Sequence, residues 1–129
     1  MHSLRQRINA RDESGFTLIE LLVVLIIIGV LLAIAVPSYL GFKDRAEAKA
    51  SAADVRSAIP DAEAYFSDNN TYVGMDLAAL QAIDNGISST VVPKNQAIDG
   101  YCLESTVGGA TSHVVGPGGT VTANNGPCP

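Results

Sequence analysis

The hydrophobic positions of this chain are concentrated near its N-terminus. Residues 16–36 are almost entirely apolar, with no charged or polar side chain from Leu21 to Val36 and with Glu20 as the single charge. A helix over these residues is about 32 Å long, at about 1.5 Å per residue. The hydrocarbon core of a bilayer is about 30 Å thick. The pattern therefore predicts a transmembrane helix over residues 16–36.

The residues on either side of this segment predict its orientation in the membrane and whether it is cleaved off or retained. Residues 1–15 are polar and include Arg5, Arg7 and Arg11, which favours a cytoplasmic N-terminus by the positive-inside rule. A cleaved secretory signal is the alternative, but its apolar region is shorter and a small-residue cleavage site follows it. Residues 36–38 offer no such site, so we expect the apolar segment to be retained.

After Pro37 the pattern becomes amphipathic, which predicts that the helix continues over residues 37–67. The apolar residues recur at helical spacing and then continue on a shifted face: Tyr39, Phe42, Ala46, Ala50 and Ala53, then Val55, Ile59, Ala62 and Phe66. Pro37 and Pro60 each remove a backbone hydrogen bond and are predicted to kink the helix. The alternative is a solvated helix with a weak apolar stripe.

Residues 68–129 are predicted to form a small β-rich head. A turn at 67–71 precedes a short helix, Met75–Ile83, with Asp76 near its start and Gly86 at its end. Glycine- and asparagine-rich turns then separate four short predicted strands: Ser89–Val92, Gly100–Ser105, Ser112–Val115 and Thr120–Thr122. A sheet this small must pack on the apolar stripe of the long helix. The predicted fold class is α+β, a long kinked N-terminal helix against a small antiparallel sheet.

Charge and composition argue against several classes of function. The net charge is −5, without a cluster of Lys and Arg, so we expect no direct nucleic-acid binding. His113 is interpreted as an ordinary strand residue. The glycines at 108–109 and 116–119 lack the context of a phosphate loop, and the aspartates lack calcium-loop spacing. We therefore predict no catalytic residues, no cofactor and no metal, and a protein that is not an enzyme.

The two cysteines, Cys102 and Cys128, lie in the same C-terminal segment and lack the paired spacing of a zinc site. Their position beyond a membrane segment favours a disulfide bond in an oxidising compartment. Free thiols in the cytosol are the alternative.

Three parts of the sequence resemble the type IV pilin superfamily. Gly15-Phe16-Thr17-Leu18-Ile19-Glu20, followed by the apolar run and Pro37, resembles its class III signal. The segment from Ala62 to Tyr72 is similar to the region where pilins and pseudopilins leave the long helix. The C-terminal cysteine pair resembles the disulfide region of many pilins.

The resemblance implies a life cycle. A prepilin peptidase would remove residues 1–15 by cutting between Gly15 and Phe16, and Phe16 would then be N-methylated. The assembly machinery of the inner membrane would move the single-pass precursor from that membrane into an extracellular filament, a helical homopolymer. The implied protein is a structural subunit, a type IVa-like major pilin, of a pilus that supports adhesion, twitching motility or DNA uptake. The alternatives are a pseudopilin of a type II secretion system, a competence pilin, and a membrane-anchored binding domain that does not polymerise.

Glu20 needs a physical reason, because a charge in an apolar segment is costly. A strictly apolar helix can slide among many registers, whereas one buried charge with one permitted partner sets the axial position. Cleavage at Gly15 would create an ammonium group on Phe16, one helical turn away. We predict that Glu20 sets subunit register through this group, in a neighbouring chain or, alternatively, in its own.

Overall fold

The computed structural model describes residues 15–129, which fold into two helices and three strands. In chain order these are α1 (Leu18–Asn69), α2 (Leu77–Ile83), β1 (Val91–Lys94), β2 (Tyr101–Val107) and β3 (Ala110–Gly116). The chain divides into two compact units, one ending at Leu40 and the other comprising Gly41–Pro129, which we call the head. Apart from Gly15, the predicted leader lies outside the described residues.

Helix α1 is 52 residues long and ends two residues beyond the predicted Ser67. It is helical through Pro37 and Pro60, so neither proline breaks it, and the kinks stay a prediction. At its C-terminus Asn70 adopts a left-handed conformation (φ 56°) and donates its backbone N–H to the Phe66 carbonyl at 2.7 Å. The Asn69 side chain donates to the Tyr65 carbonyl. These bonds satisfy carbonyls that the last helical turn leaves open.

The head closes over one face of α1, and this face differs in part from the predicted stripe. The α1 residues that are buried are small or polar: Ser51, Ala52, Val55, Ala58, Asp61 and Ala62. The predicted Ala53 is exposed, and so are Tyr39 and Phe42. The prediction was wrong there because apolar spacing alone does not show where along a helix a sheet begins to cover it. Small residues allow a close approach, and the Ser51 and Ser112 hydroxyls are 2.6 Å apart.

Helix α2 follows its prediction closely. It begins after Asp76, whose side chain accepts a hydrogen bond from the Ala79 backbone N–H at 2.8 Å, the geometry of an N-cap. It ends at the C-cap residue Asp84, two residues before Gly86.

The sheet has the order β1-β2-β3, with both pairs antiparallel. Three predicted strands are present, with their ends shifted by one to two residues. Gly108 and Gly109 make the two-residue β2–β3 turn, and Gly108 has φ +57°, a conformation that suits glycine in such turns. The third strand, β3, pairs with β2 along one edge only.

The fourth predicted strand is wrong, because residues 120–122 are described and are not in a strand. Instead the C-terminal tail binds the free edge of β3 through asparagine side chains. The Asn124 amide oxygen accepts from the Thr111 backbone N–H at 3.2 Å, and the Asn125 amide bonds both the N–H and the carbonyl of His113. One backbone bond, from the Gly126 N–H to the Thr111 carbonyl at 2.9 Å, joins these side-chain contacts. Side-chain amides thus make most of the bonds that a fourth strand would make through its backbone.

The core of the head is aromatic at its centre. Tyr72 packs between Phe66 and Tyr101, with ring centroids 4.7 and 4.6 Å apart. Both tyrosine hydroxyls donate to the Glu63 carboxylate, at 3.0 and 3.2 Å. Burial first, and then the neighbouring carboxylate, raises the pKa of both phenols. The uncharged phenols are therefore the stable forms in this core.

Candidate assembly site

The first half of α1 exposes a continuous apolar surface. Every large apolar side chain from Phe16 to Val36 is exposed, from 46% at Ile28 to 86% at Leu18. This part of α1 is long and apolar enough to cross a membrane, and none of it is buried within the chain. Apolar surface of this extent is unfavourable in water, so lipid or other protein must cover it.

Glu20 lies in the first turn of this helix and takes part in its N-terminal cap. Its backbone N–H donates to the Thr17 side-chain oxygen at 3.2 Å, and the Leu21 N–H donates to the Thr17 carbonyl at 3.2 Å. Thr17 is therefore the N-cap residue, and Thr17-Leu18-Ile19-Glu20 has the spacing of a capping box. The carboxylate lies at the helix end where the dipole favours negative charge.

The buried carboxylate of Glu104 holds parts of the head together. On strand β2 it pairs with Lys94 of β1 and accepts a hydrogen bond from the Cys128 backbone N–H at 2.8 Å. Burial by itself would raise the pKa of Glu104, but the bonds from Lys94 and Cys128 outweigh it and lower the pKa below its ordinary value. Cys128 also forms a disulfide bond with Cys102 of β2, with a Cα–Cα distance of 6.1 Å. Cys128 is thus attached to β2 by one covalent and one charged contact.

Asp61 on α1 is the least satisfied polar group in the described core. Its Oδ2 atom is buried and has no hydrogen-bond partner among the residues described. Burial is the main reason that the pKa of Asp61 is raised, and the Asp84 carboxylate after α2 adds to the shift. Asp61 is therefore harder to ionise in the folded head than in water.

The described residues hold no arrangement suited to metal chemistry. Among residues 15–129, no group of three or more His, Cys, Asp or Glu side chains could hold a metal ion. His113 bonds through Nδ1 to the Gly126 carbonyl at 2.8 Å, a contact that fixes the tail. The exposed apolar surface of α1 is instead suited to packing.

Comparison with known proteins matches the beginning of the chain to a methylation motif. Residues 10–36 match the model of the prokaryotic N-terminal methylation motif. Over 110 residues the chain is 32% identical to a type II secretion system core protein G from Dickeya chrysanthemi, covering 84% of this chain and 71% of that protein. The chain belongs to the type IV pilin superfamily.

Other members of the superfamily are similar over comparable lengths. The type IV wide pilus major component PilA4 of Thermus thermophilus is 31% identical over 105 residues, which cover 78% of this chain and 79% of that protein. The type II secretion system core protein G of Pseudomonas aeruginosa is 34% identical over 91 residues, which cover 70% of this chain but only 63% of that protein. Both pilus and secretion components are therefore among the relatives.

Within this superfamily fold, the predicted site residues fall into two separate groups. Gly15 and Phe16 lie just before α1 and Glu20 lies in its first turn, and all three are exposed. Cys102 and Cys128 meet in the head. Sequence reasoning missed the Thr17 cap, which the Thr-x-x-Glu spacing could have shown. It also missed Glu104 and Asp61, whose roles depend on partners that are distant in the sequence.

Proposed function

We propose that this chain is a structural subunit of a type IV pilus, cleaved between Gly15 and Phe16 and polymerised through residues 16–36. The observation that carries the proposal is the apolar surface of α1, which is exposed and free of charged and polar side chains from Leu21 to Val36. Lipid covers this surface in the inner-membrane precursor, and the helices of neighbouring subunits cover it in the filament. The match to the N-terminal methylation motif supports the same cleavage, with Phe16 as the N-methylated residue.

Glu20 gives this packing its register. Cleavage leaves an ammonium group on Phe16, and the apolar centre of a filament tolerates neither this charge nor Glu20 alone. Pairing the two between neighbouring chains neutralises both and allows one axial position. An unpaired buried charge costs about 3–5 kcal/mol, enough to disfavour other registers.

A second candidate function is a pseudopilin of a type II secretion system. It is favoured by the names of the relatives from Dickeya chrysanthemi and Pseudomonas aeruginosa. The pilus proposal is supported by the Thermus thermophilus relative, whose length this chain covers to 79%. Both candidates use the same cleavage and the same helix packing, and neither involves catalysis.

The proposal is tested by deleting the gene and restoring it in trans. We expect the wild-type chain to be recovered from sheared surface fibres, and the deletion strain to lose these fibres together with adhesion, twitching motility or DNA uptake. A deletion strain that keeps its fibres but retains secreted enzymes in the periplasm supports the secretion function. A chain that is found only in the membrane, in wild-type cells that make fibres, contradicts polymerisation.

A further inference from the structure

The part of α1 within the head has two oppositely charged faces, each lined in part by exposed side chains. On one side, Phe42, Arg45, Ala46 and Lys49 line a shallow groove of about 310 Å³. On the other side, Asp44 and Glu47 line a groove of about 290 Å³ together with Gly109, Ala110 and Asn124. We call these the basic groove and the acidic groove.

The two grooves face away from each other. Successive residues of an α-helix are rotated by about 100°. The basic-groove residues at positions 42, 45, 46 and 49 therefore share one side of α1. Asp44 and Glu47 lie on the opposite side, about 180° away, on the same side as the buried Ser51 and Val55. No single subunit can bring the two grooves together.

Several charges in the grooves have no counter-charge among residues 15–129. Within residues 15–129, ion pairs form at Lys43–Glu47 and Lys94–Glu104. Arg45, Lys49 and Asp44 therefore have no ion-pair partner among the residues described. Phe42 in the basic groove is 67% exposed. An aromatic ring flanked by two cations is a surface suited to a partner that is partly apolar and acidic.

The acidic groove is held rigidly. Glu47 pairs with Lys43 at 3.7 Å and accepts a hydrogen bond from the Gly109 backbone N–H at 3.1 Å. Its carboxylate packs against Gly108, where a Cβ atom would collide with it. Glu47 thus attaches the tip of the β2–β3 turn to α1. Asp44 lies in the same groove, beside this contact.

We propose that the basic groove of one subunit docks into the acidic groove of a second copy of this chain, with Arg45 and Lys49 facing Asp44. The proposal rests on the proposed filament function and adds a contact between heads to the packing of residues 16–36. A helical filament needs such a pair, because its contacts are head-to-tail and join two different complementary surfaces. Opposite charges on opposite sides of one helix supply both surfaces.

Charge reversal tests the docking in the full chain. Lys49→Glu and Asp44→Lys each place like charges in the contact, and we expect each to lower the ratio of fibre to membrane-bound subunit by about tenfold or more. The double variant Asp44→Lys/Lys49→Glu restores complementarity and should recover most of the loss. Asp99→Lys is the matched control, because it makes the same charge change at an exposed head residue outside both grooves.

Cysteine cross-linking gives a second readout. A chain carrying both Asp44→Cys and Lys49→Cys should form a ladder of multimers in mildly oxidised fibres, whereas either single substitution should stop at dimers at most. The two positions lie too far around α1 to bond within one chain, so a ladder reports contact between subunits. Monomers alone in the double variant overturn the proposal.

The outcomes separate this contact from the function on which it rests. Wild-type fibres together with normal yields of both reversal variants overturn the head contact and leave the filament function standing. Loss of the chain from the membrane in Lys49→Glu, with Asp44→Lys unaffected, assigns the basic groove to anionic lipid headgroups and also overturns the contact. A wild-type chain absent from fibres overturns both.

Discussion

The side-chain oxygen of Thr17 accepts a hydrogen bond from the backbone N–H of Glu20, at 3.2 Å. This bond places Glu20 in the first turn of α1, where the helix dipole stabilises a carboxylate by about 0.3–1 kcal/mol. The gain is smaller than the cost of about 2.5–3.5 kcal/mol for a charge at the centre of a membrane helix, although that cost is lower near the helix end. The stability of a lone subunit therefore does not explain Glu20, which is why we propose that Glu20 acts in assembly.

Replacing Glu20 tests its role in register. We expect Glu20→Val to be inserted and cleaved but to yield few or no fibres, because the Phe16 ammonium of the neighbouring chain is left unpaired. In cells that express both forms, the variant should be under-represented in fibres relative to the membrane pool, as measured by quantitative mass spectrometry. Glu20→Asp, which keeps the charge, is the matched control. Normal fibre yield from Glu20→Val alone would contradict the assignment.

Replacing Gly15 tests the cleavage site. Glycine presents a backbone without a side chain to the peptidase, so a bulky side chain in Gly15→Leu should leave the leader attached. Gly15→Ala adds a single methyl group, so we expect more of its leader to be removed than in Gly15→Leu. Intact-mass measurement of the membrane-bound chain distinguishes the two forms. A wild-type N-terminus at any residue other than Phe16 would refute the proposed processing.

Removing the disulfide tests its share of head stability. Cys102 and Cys128 are 26 residues apart, and a crosslink closing such a loop contributes about 3–4 kcal/mol by chain entropy. We expect the double variant Cys102→Ser/Cys128→Ser to lower the free energy of unfolding by about this amount, measured by denaturant titration of the detergent-solubilised chain. In wild-type fibres a thiol-specific label should react with almost no cysteine. Stoichiometric labelling of both residues would be the contrary result.

The raised pKa of Asp61 predicts that its contribution to the free energy of unfolding falls as pH rises. Burial and the Asp84 carboxylate raise the pKa of Asp61 above its ordinary 3.8. Below pH 3.8 the Asp61 carboxyl is protonated in both the folded and the unfolded state. As pH rises above 3.8, the unfolded state loses this proton first. The contribution of Asp61 to the free energy of unfolding therefore declines until the pH has passed the raised pKa of the folded state. Asp61→Asn should therefore stabilise the head at pH 7, by about 1 kcal/mol. The exposed Asp68→Asn on the same helix is the control, and an equal effect from both would refute the explanation.

The lowered pKa of Glu104 predicts the opposite pH dependence of stability. Its folded pKa is lowered, so its contribution is present above the ordinary 4.5 and is lost as pH falls through the lowered value. Glu104→Gln should cost about 1–3 kcal/mol at pH 7, because Lys94 and the Cys128 N–H lose a charged acceptor. The difference from wild type should shrink on acidification. A difference that is independent of pH would show that the charge of Glu104 contributes nothing.

Local patterns in the sequence determined the parts of this protein that depend on neighbouring residues. The apolar run of residues 16–36 predicted the first half of α1, because length and hydropathy are properties of one segment. The Asp76 cap and the Gly108-Gly109 turn were readable for the same reason, since each acts within a few residues. The roles of Gly15, Phe16 and Glu20 stay predictions, made from the order of these residues in the chain.

Only the tertiary structure decided which surfaces meet. The sequence placed Ala53 on the apolar stripe and a strand at 120–122, yet Ala53 is exposed and the tail binds β3 through Asn124 and Asn125. The Glu104–Cys128 and Glu47–Gly109 contacts join residues 24 and 62 positions apart. No local periodicity encodes such pairs, because their energy depends on burial and distance that arise only when the sheet packs on α1.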